Sequence, residues 1–192
     1  MVKARKKVFN RRFYDSPSAF FRDLGAIIAR WRDMRALMRG EIVDGAFRER
    51  LMLTVTVVNG CRYCSWAHAR QALVTGITGD EVRSLLTGEV GDSPAAELPA
   101  LLYAQHWAES GGRPEAAVRA RLFETYSEET VQAIELSLRT IQWGNLSGNT
   151  FDYILYRLSF GRLGGNDEPE TGVASSTEEQ NRNDPTTSPR LP

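Results

Sequence analysis

The chain has 192 residues, which suits one domain with or without a tail and is long enough to bury a sizeable core. Its 24 basic and 24 acidic residues cancel, so the molecule as a whole is not an obvious binder of polyanions. Its apolar stretches are interrupted by charges before they reach the length that spans a bilayer, and we expect a cytoplasmic protein without a membrane partner.

Charge and composition divide the chain into three parts. Residues 1–14 form a predicted basic arm, and residues 164–192 change to Gly, Asn, Ser, Thr, Pro and Glu, which predicts a disordered tail. Between them, residues 15–163 are predicted to form a single all-α domain. The arm is more typical of a solvated terminal segment or a subunit interface than of a base-reading element, so we expect no specific nucleic-acid partner.

The first predicted helix follows Ser16 and Pro17, which suit the N-cap and the first helical position. Apolar side chains then recur at spacings of three and four, and Gly40 is the predicted stop. They are Phe20, Phe21, Leu24, Ile27, Ile28, Trp31, Met34 and Met38.

Asp44 is the predicted cap of the second helix, which we expect to end with Gly60 as its C-terminal glycine. Residues 54–58 are rich in β-branched side chains, which favour a strand by local propensity. We predict a helix instead, because continuous apolar sequence over residues 51–58 also suits a buried helix and strand partners are not evident elsewhere.

A third helix is predicted from Cys61 to about residue 74, and a fourth follows Thr78, whose capping box we expect Glu81 to close. That helix should end at Gly88, before a loop at residues 91–94. Four more helices are expected at 94–109, 114–125, 128–143 and 150–160.

The two cysteines of the chain, Cys61 and Cys64, are followed by His68, one of two histidines. Separations of three and four place all three side chains on one face of a helix. Glu49 joins them only if the chain reverses at Asn59 and Gly60. On a straight helix, its twelve residues of separation from Cys61 would span about 18 Å.

The two thiols are chemically distinct. Cys61, at a helix N-terminus, gains from the helix dipole typically less than about 1 kcal/mol, whereas Cys64 has a potential proton acceptor one turn away. We therefore predict Cys64 as the attacking thiol and Cys61 as the resolving thiol. His68 is the predicted base, and Glu49 the residue that orients it and raises its basicity.

These four residues, with Asn59 and Gly60 before the first cysteine, resemble the alkylhydroperoxidase D-like, or carboxymuconolactone decarboxylase-type, family of all-helical proteins. The resemblance covers residues 42–90 and includes Ala69, Ala72, Leu73 and Gly76. It implies a peroxiredoxin-type thiol peroxidase and disulfide reductase: a thiolate attacks a small hydroperoxide, and the second cysteine then closes a disulfide.

The same resemblance implies no bound cofactor, an external dithiol reductant such as a lipoyl group on a carrier protein, and subunits assembled as trimers or larger rings. This chain departs from the best-known members at Tyr63, because they carry an additional histidine between the cysteines. Relatives that act as decarboxylases on a lactone generally lack the cysteine pair, which argues against that chemistry here.

Three other interpretations of the cysteines are open. They can be two small buried hydrophobes. They can bind zinc with His68 and either Glu49 or His106, although ligands at these helical positions converge poorly. They can also form a redox sensor, in which disulfide formation changes the assembly or partner of an interaction protein.

Overall fold

The structure, a computed structural model, describes residues 8–166. Eight helices form over these residues: α1 Pro17–Ala29, α2 Trp31–Arg39, α3 Gly45–Asn59, α4 Arg62–Val74, α5 Gly79–Thr87, α6 Leu98–Glu109, α7 Ala116–Thr125 and α8 Glu128–Leu158. None of them combines the length and the apolar composition needed to cross a membrane. The predicted all-α fold is confirmed. Residues 1–7 of the predicted arm and 167–192 of the predicted tail lie outside the described residues.

The helix α3 lies at the centre of the fold, where it packs against α4, α5, α6 and α8. Every side chain from Phe47 to Thr56 is buried. A helix covered on all sides has no solvent-facing stripe, so apolar residues occur on every side of α3, and its charged residues Arg48, Glu49 and Arg50 form ion pairs inside the fold. This burial is the reason that residues 54–58 fold as a helix despite their β-branched composition, as predicted.

The predicted ends of the early helices are confirmed. Asp44 caps α3 by accepting the Phe47 N–H at 2.8 Å. Gly40 ends α2 and Gly60 ends α3, each in the left-handed conformation with φ of 73° and 69°. A side chain is strained at such a φ, which explains the glycines.

The capping box at α5 forms only in part. Thr78 Oγ1 accepts the Glu81 N–H at 3.2 Å. The Glu81 carboxylate binds Arg50 of α3 instead of returning to the cap, with Oε1 2.6 Å from the Arg50 Nε. A charged partner in a buried setting offers this carboxylate a stronger hydrogen bond than the neutral backbone N–H of the cap.

Two stretches of the chain divide into helices differently from the prediction. The first predicted helix divides at Arg30, whose N–H bonds to the Ile27 carbonyl at 3.1 Å, and the turn there lets α2 bury Met34 and Leu37. The last two predicted helices are one continuous helix, α8. Glycines inside α8 disfavour a helix by local propensity. Packing of α8 against α3 stabilises the helix and lets it continue past these glycines.

Residues 8–14 of the predicted arm pack against α8. The ring of Phe13 stacks on that of Tyr153 with centroids 4.0 Å apart, and Phe9 meets the same ring edge-on at 5.3 Å. The Tyr14 N–H donates to Thr150 Oγ1 at 3.0 Å. This segment therefore belongs to the packed structure and forms one wall of the region around Cys61.

Candidate functional site

The chain reverses at Gly60, between α3 and α4, and brings Glu49 to His68. The Glu49 Oε2 lies 2.7 Å from the His68 Nδ1. The reversal on which the predicted site depends is therefore present, and the carboxylate and the imidazole meet directly without an intervening water.

Glu49 is held in place from its other side as well. Its side chain is 3% exposed, against 24% for His68. Its Oε1 lies 3.4 Å from the Nε of Arg48, a buried residue that also donates to the Leu37 carbonyl at 3.1 Å. A carboxylate only accepts hydrogen bonds, so His68 donates from Nδ1 and keeps Nε2 as its free nitrogen.

Cys61 is the N-cap residue of α4, and its Sγ accepts the N–H of Cys64 at 3.4 Å. Both thiols are free. Cys61 is fully buried, whereas Cys64 is half-buried. The Cys61 thiol, at the N-terminal end of α4, is therefore enclosed, whereas the Cys64 thiol is reachable from solvent.

The environment separates the two thiol pKa values. The hydrogen bond from the Cys64 side chain lowers the pKa of Cys61 to about 7 against the opposing effect of burial, helped by the backbone N–H groups of Cys64 and Tyr63 and by the charge of Arg11. The same hydrogen bond, followed by burial, raises the pKa of Cys64 well above its ordinary value. At neutral pH the pair thus approaches a state with one proton and one negative charge shared by two sulfurs.

Cys61 is covered by α8 at Gly148. A Cβ at Gly148 would lie 2.9 Å from the Cys61 Sγ and 3.4 Å from the Tyr63 Cδ2. The glycine therefore allows the α8 backbone to approach the sulfur more closely than any other residue permits. Through this contact α8 encloses the buried member of the pair.

A second part of α8, Asp152, anchors the N-terminal end of α4. This carboxylate has no solvent exposure and accepts hydrogen bonds from Tyr63 Oη and Arg62 NH2, each at 2.7 Å, and from Arg11 NH1 at 2.8 Å. Burial opposes the charge, but the Tyr63, Arg11 and Arg62 donors outweigh it and lower the pKa of Asp152.

Sequence reasoning identified Glu49, Cys61, Cys64 and His68, but missed the residues from outside α3 and α4 that surround Cys61. Arg11, Gly148 and Asp152 lie far from the cysteines along the chain. The available signals were a glycine between two predicted helices and an aspartate inside the second of them. Neither one identifies its partner without the three-dimensional fold.

Metal ligands do not converge in the part of the chain that the structure describes. Over residues 8–166, no group of three or more His, Cys, Asp or Glu side chains could hold a metal ion. His106 lies on α6, whereas the cysteines belong to the start of α4. The zinc interpretation therefore has no assembled ligand set among these residues.

Two cavities of the described region do not include the cysteine pair. One, of about 510 Å³, reaches the turn through Arg11 and Asn59. The other, of about 390 Å³, lies against Trp107 and Trp143. Neither is lined by Cys61, Cys64 or His68.

Comparison with known proteins identifies the segment that carries this arrangement. Residues 26–110 match the carboxymuconolactone decarboxylase family. The match begins within α1, ends after α6 and includes Glu49, Cys61, Cys64 and His68, so the predicted resemblance is confirmed. No curated protein and no solved structure matches the chain.

The matched carboxymuconolactone decarboxylase-family segment and the surroundings of Cys61 do not coincide. Arg11, Gly148 and Asp152 all lie outside residues 26–110. The matched segment thus contains the four predicted site residues, whereas the residues that cover Cys61 and the charges near it are supplied by the N-terminal segment and α8.

Proposed function

We propose that the protein is a thiol-dependent peroxidase and disulfide reductase that acts on hydrogen peroxide or small organic hydroperoxides. One observation carries this proposal. Two free cysteines, joined by a 3.4 Å hydrogen bond from the Cys64 N–H to the Cys61 Sγ, stand on the same helix as an imidazole that is oriented by a buried carboxylate.

In the proposed reaction Cys64 attacks first. Its thiol proton passes to Cys61 or to His68, and the Cys64 thiolate forms an S–O bond with the hydroperoxide while the O–O bond breaks. The leaving alkoxide or hydroxide takes a proton and departs as alcohol or water. Cys64 is then a sulfenic acid, oxidised by two electrons.

Cys61 resolves this intermediate. Its thiolate forms an S–S bond with the Cys64 sulfur, and the sulfenic oxygen leaves as water after taking a proton. His68, with Nδ1 bound to Glu49, has Nε2 available to exchange these protons. An external dithiol then reduces the disulfide by thiol–disulfide exchange and is itself oxidised.

The partners we propose follow the same chemistry. The reductant is an external dithiol, such as a lipoyl group on a carrier protein, and the enzyme itself holds no cofactor. Exposed aromatic side chains near the pair, among them Trp66 and Phe151, support contact with an apolar partner or a second subunit. Assembly as a trimer or a larger ring belongs to this proposal.

The assignment of Cys64 as the attacking thiol rests on access. Cys61 has the lower pKa, about 7, but it is enclosed by α8, whereas the half-buried Cys64 is reachable by a peroxide. Because the two sulfurs share a proton, its movement to Cys61 leaves the reachable sulfur as the thiolate.

The test is peroxide consumption with a dithiol reductant by wild type, Cys64→Ser and Cys61→Ser. We expect Cys64→Ser to lose turnover and to form no sulfenic acid on the remaining thiol. Cys61→Ser should still react once with peroxide and accumulate a sulfenic acid on Cys64, detected by a sulfenate-trapping reagent and mass spectrometry. Equal rates in wild type and Cys64→Ser would exclude the assignment.

A redox-sensing protein is a second candidate, supported by the contact between Cys61 and Gly148. A disulfide that moves the Cys61 sulfur would change the packing of α4 against α8, because the glycine leaves no space between them. Slow peroxide turnover together with an oxidation-dependent change in assembly mass would favour this function. Rapid turnover with unchanged assembly would favour the peroxidase.

A further inference from the structure

We propose that Arg11 is a positioning residue for the Cys61 sulfur, beside which it holds a fixed positive charge that favours the thiolate form of that sulfur. The proposal rests on the proposed function, because it assigns a role in the same thiol site. Arg11 precedes the family-matched segment, which starts at residue 26.

The position of Arg11 is set by the turn that carries Cys61. A Cβ on Gly60 would lie 3.1 Å from the Arg11 Cγ and 3.2 Å from its Cδ, so the arginine stem crosses directly over this glycine. Gly60 precedes Cys61 in the chain. The arginine side chain is 8% exposed, which keeps its charge out of bulk water.

Two nitrogens of the Arg11 guanidinium, NH1 and NH2, are held by hydrogen bonds. Its NH1 donates to Asp152 Oδ2 at 2.8 Å, and its NH2 donates to the Gly164 carbonyl. The third donor, Nε–H, is buried and has no hydrogen-bond partner among the described residues. An unpaired buried donor favours negative charge in its surroundings, and the thiol of Cys61, the residue after Gly60, can supply that charge by ionising.

The other charged and titratable groups around Cys61 leave the effect of Arg11 uncancelled. On α4 these are Arg62, Tyr63 and Cys64, and on α8 the carboxylate of Asp152. Two arginines face that single carboxylate, so the cluster keeps a net positive charge. On α3 the Glu49 charge faces Arg48 and His68.

The experiment follows thiolate formation directly in the reduced protein. The rate of alkylation by iodoacetamide is measured against pH, and trypsin cleavage after Arg62 then places Cys61 and Cys64 on separate peptides for mass spectrometry. Thiolate absorbance in the ultraviolet is recorded in parallel, because Cys61 is buried and reacts slowly.

Four variants are compared. Arg11→Met and Arg11→Gln remove the charge, and Arg11→Lys retains it. Arg12→Met is the matched control, because Arg12 anchors the same segment through the carbonyls of Ala108 and Glu109 but makes no contact with Asp152. Circular dichroism establishes which variants are folded. If either Arg11→Met or Arg11→Gln fails to fold, the other still tests the loss of charge.

We expect the midpoint of the pH titration of the Cys61 thiol to rise by about 0.5–1 pH unit in Arg11→Met and Arg11→Gln. At a pH below the midpoint, this rise means about three- to tenfold less Cys61 thiolate. Arg11→Lys and Arg12→Met should stay near wild type. Unchanged midpoints in both uncharged variants would overturn the proposal, and so would an equal shift in Arg11→Lys or Arg12→Met, since tethering alone would then explain it. If the uncharged variants shift the midpoint but the wild-type protein consumes no peroxide, the role of Arg11 is supported and the peroxidase function is rejected.

Discussion

Gly148 on α8 and Cys61 at the start of α4 are in direct contact. A Cβ at position 148 would lie 2.9 Å from the Cys61 Sγ. Real Cβ atoms do not approach a sulfur so closely, so the absence of a side chain at Gly148 is a condition for the enclosed position of Cys61. The contact links the reactive pair to a helix that the family match does not include.

Gly148→Ala should therefore destabilise the reduced protein by about 1–3 kcal/mol, because the added methyl group overpacks the space around the Cys61 sulfur. Gly144→Ala is the matched control one turn earlier on α8, where a Cβ meets nothing within 4 Å. Since alanine is a better helix former than glycine, that control should stabilise by about 0.5–1 kcal/mol. Urea unfolding measures both; equal stabilisation would show that α8 does not press on Cys61.

Glu49→Gln should lower the rate of peroxide consumption by about 100-fold, because an amide no longer holds His68 as an effective base. The loss of the carboxylate also leaves the buried Arg48 without its charged partner, so unfolding free energy should fall as well. The two effects are separated by a control at a distant buried carboxylate.

That control is Glu135→Gln on α8. Glu135 is buried and accepts hydrogen bonds from Tyr103 Oη at 2.9 Å and from Arg119 Nε at 2.6 Å, away from the cysteines. We expect it to lose stability but to keep its peroxide rate after correction for the folded fraction. If the two variants lose activity equally, Glu49 has no role beyond stability.

The sequence was sufficient to predict α3, α4 and the approach of Glu49 to His68. Its signals there are local: Asp44 as a cap, Gly60 as a left-handed stop, and the spacing of Cys61, Cys64 and His68. Together they indicated a chain reversal, and the reversal placed Glu49 at His68.

The packing of α8 over Cys61 was not predictable from local sequence signals. Local propensity indicated an interruption near Gly144 and Gly148, where the structure has one continuous helix. The energy that holds this helix together comes from packing against α3 and other helices, which sequence spacing does not record. The contacts of Asp152 with Arg11 and Tyr63 depend on that long-range packing as well.

The reduced protein should gain stability from Cys61 as the pH rises from about 7 to 9. Its folded pKa is lowered from 9.0 to about 7, so the folded state releases this proton before the unfolded chain does. The contribution is fully present above the unfolded value and is lost as pH falls through the folded one. Above this window the raised pKa of Cys64 acts in the opposite sense.

The measurement is urea unfolding of wild type and Cys61→Ser at pH 6, 7, 8 and 9 in the presence of a reductant that keeps the disulfide open. Wild type should become more stable relative to the variant across the upper part of this range, because serine does not ionise and still caps α4. A constant difference at all four values would show that the pKa of Cys61 is not lowered by folding.

Tyr63→Phe tests whether the residue between the cysteines transfers protons. Its hydroxyl donates to Asp152 at 2.7 Å and accepts from Arg62 at 2.8 Å, and burial followed by the Asp152 contact raises its pKa. The proton is therefore engaged and hard to release. We expect peroxide turnover within about threefold of wild type and a loss of about 0.5–1.5 kcal/mol in unfolding free energy, the usual net worth of one hydrogen bond.

Tyr126→Phe, which loses a 2.6 Å bond to the Ala96 carbonyl, is the control for stability. A tenfold drop in turnover confined to Tyr63→Phe would instead assign the Tyr63 hydroxyl to the proton pathway.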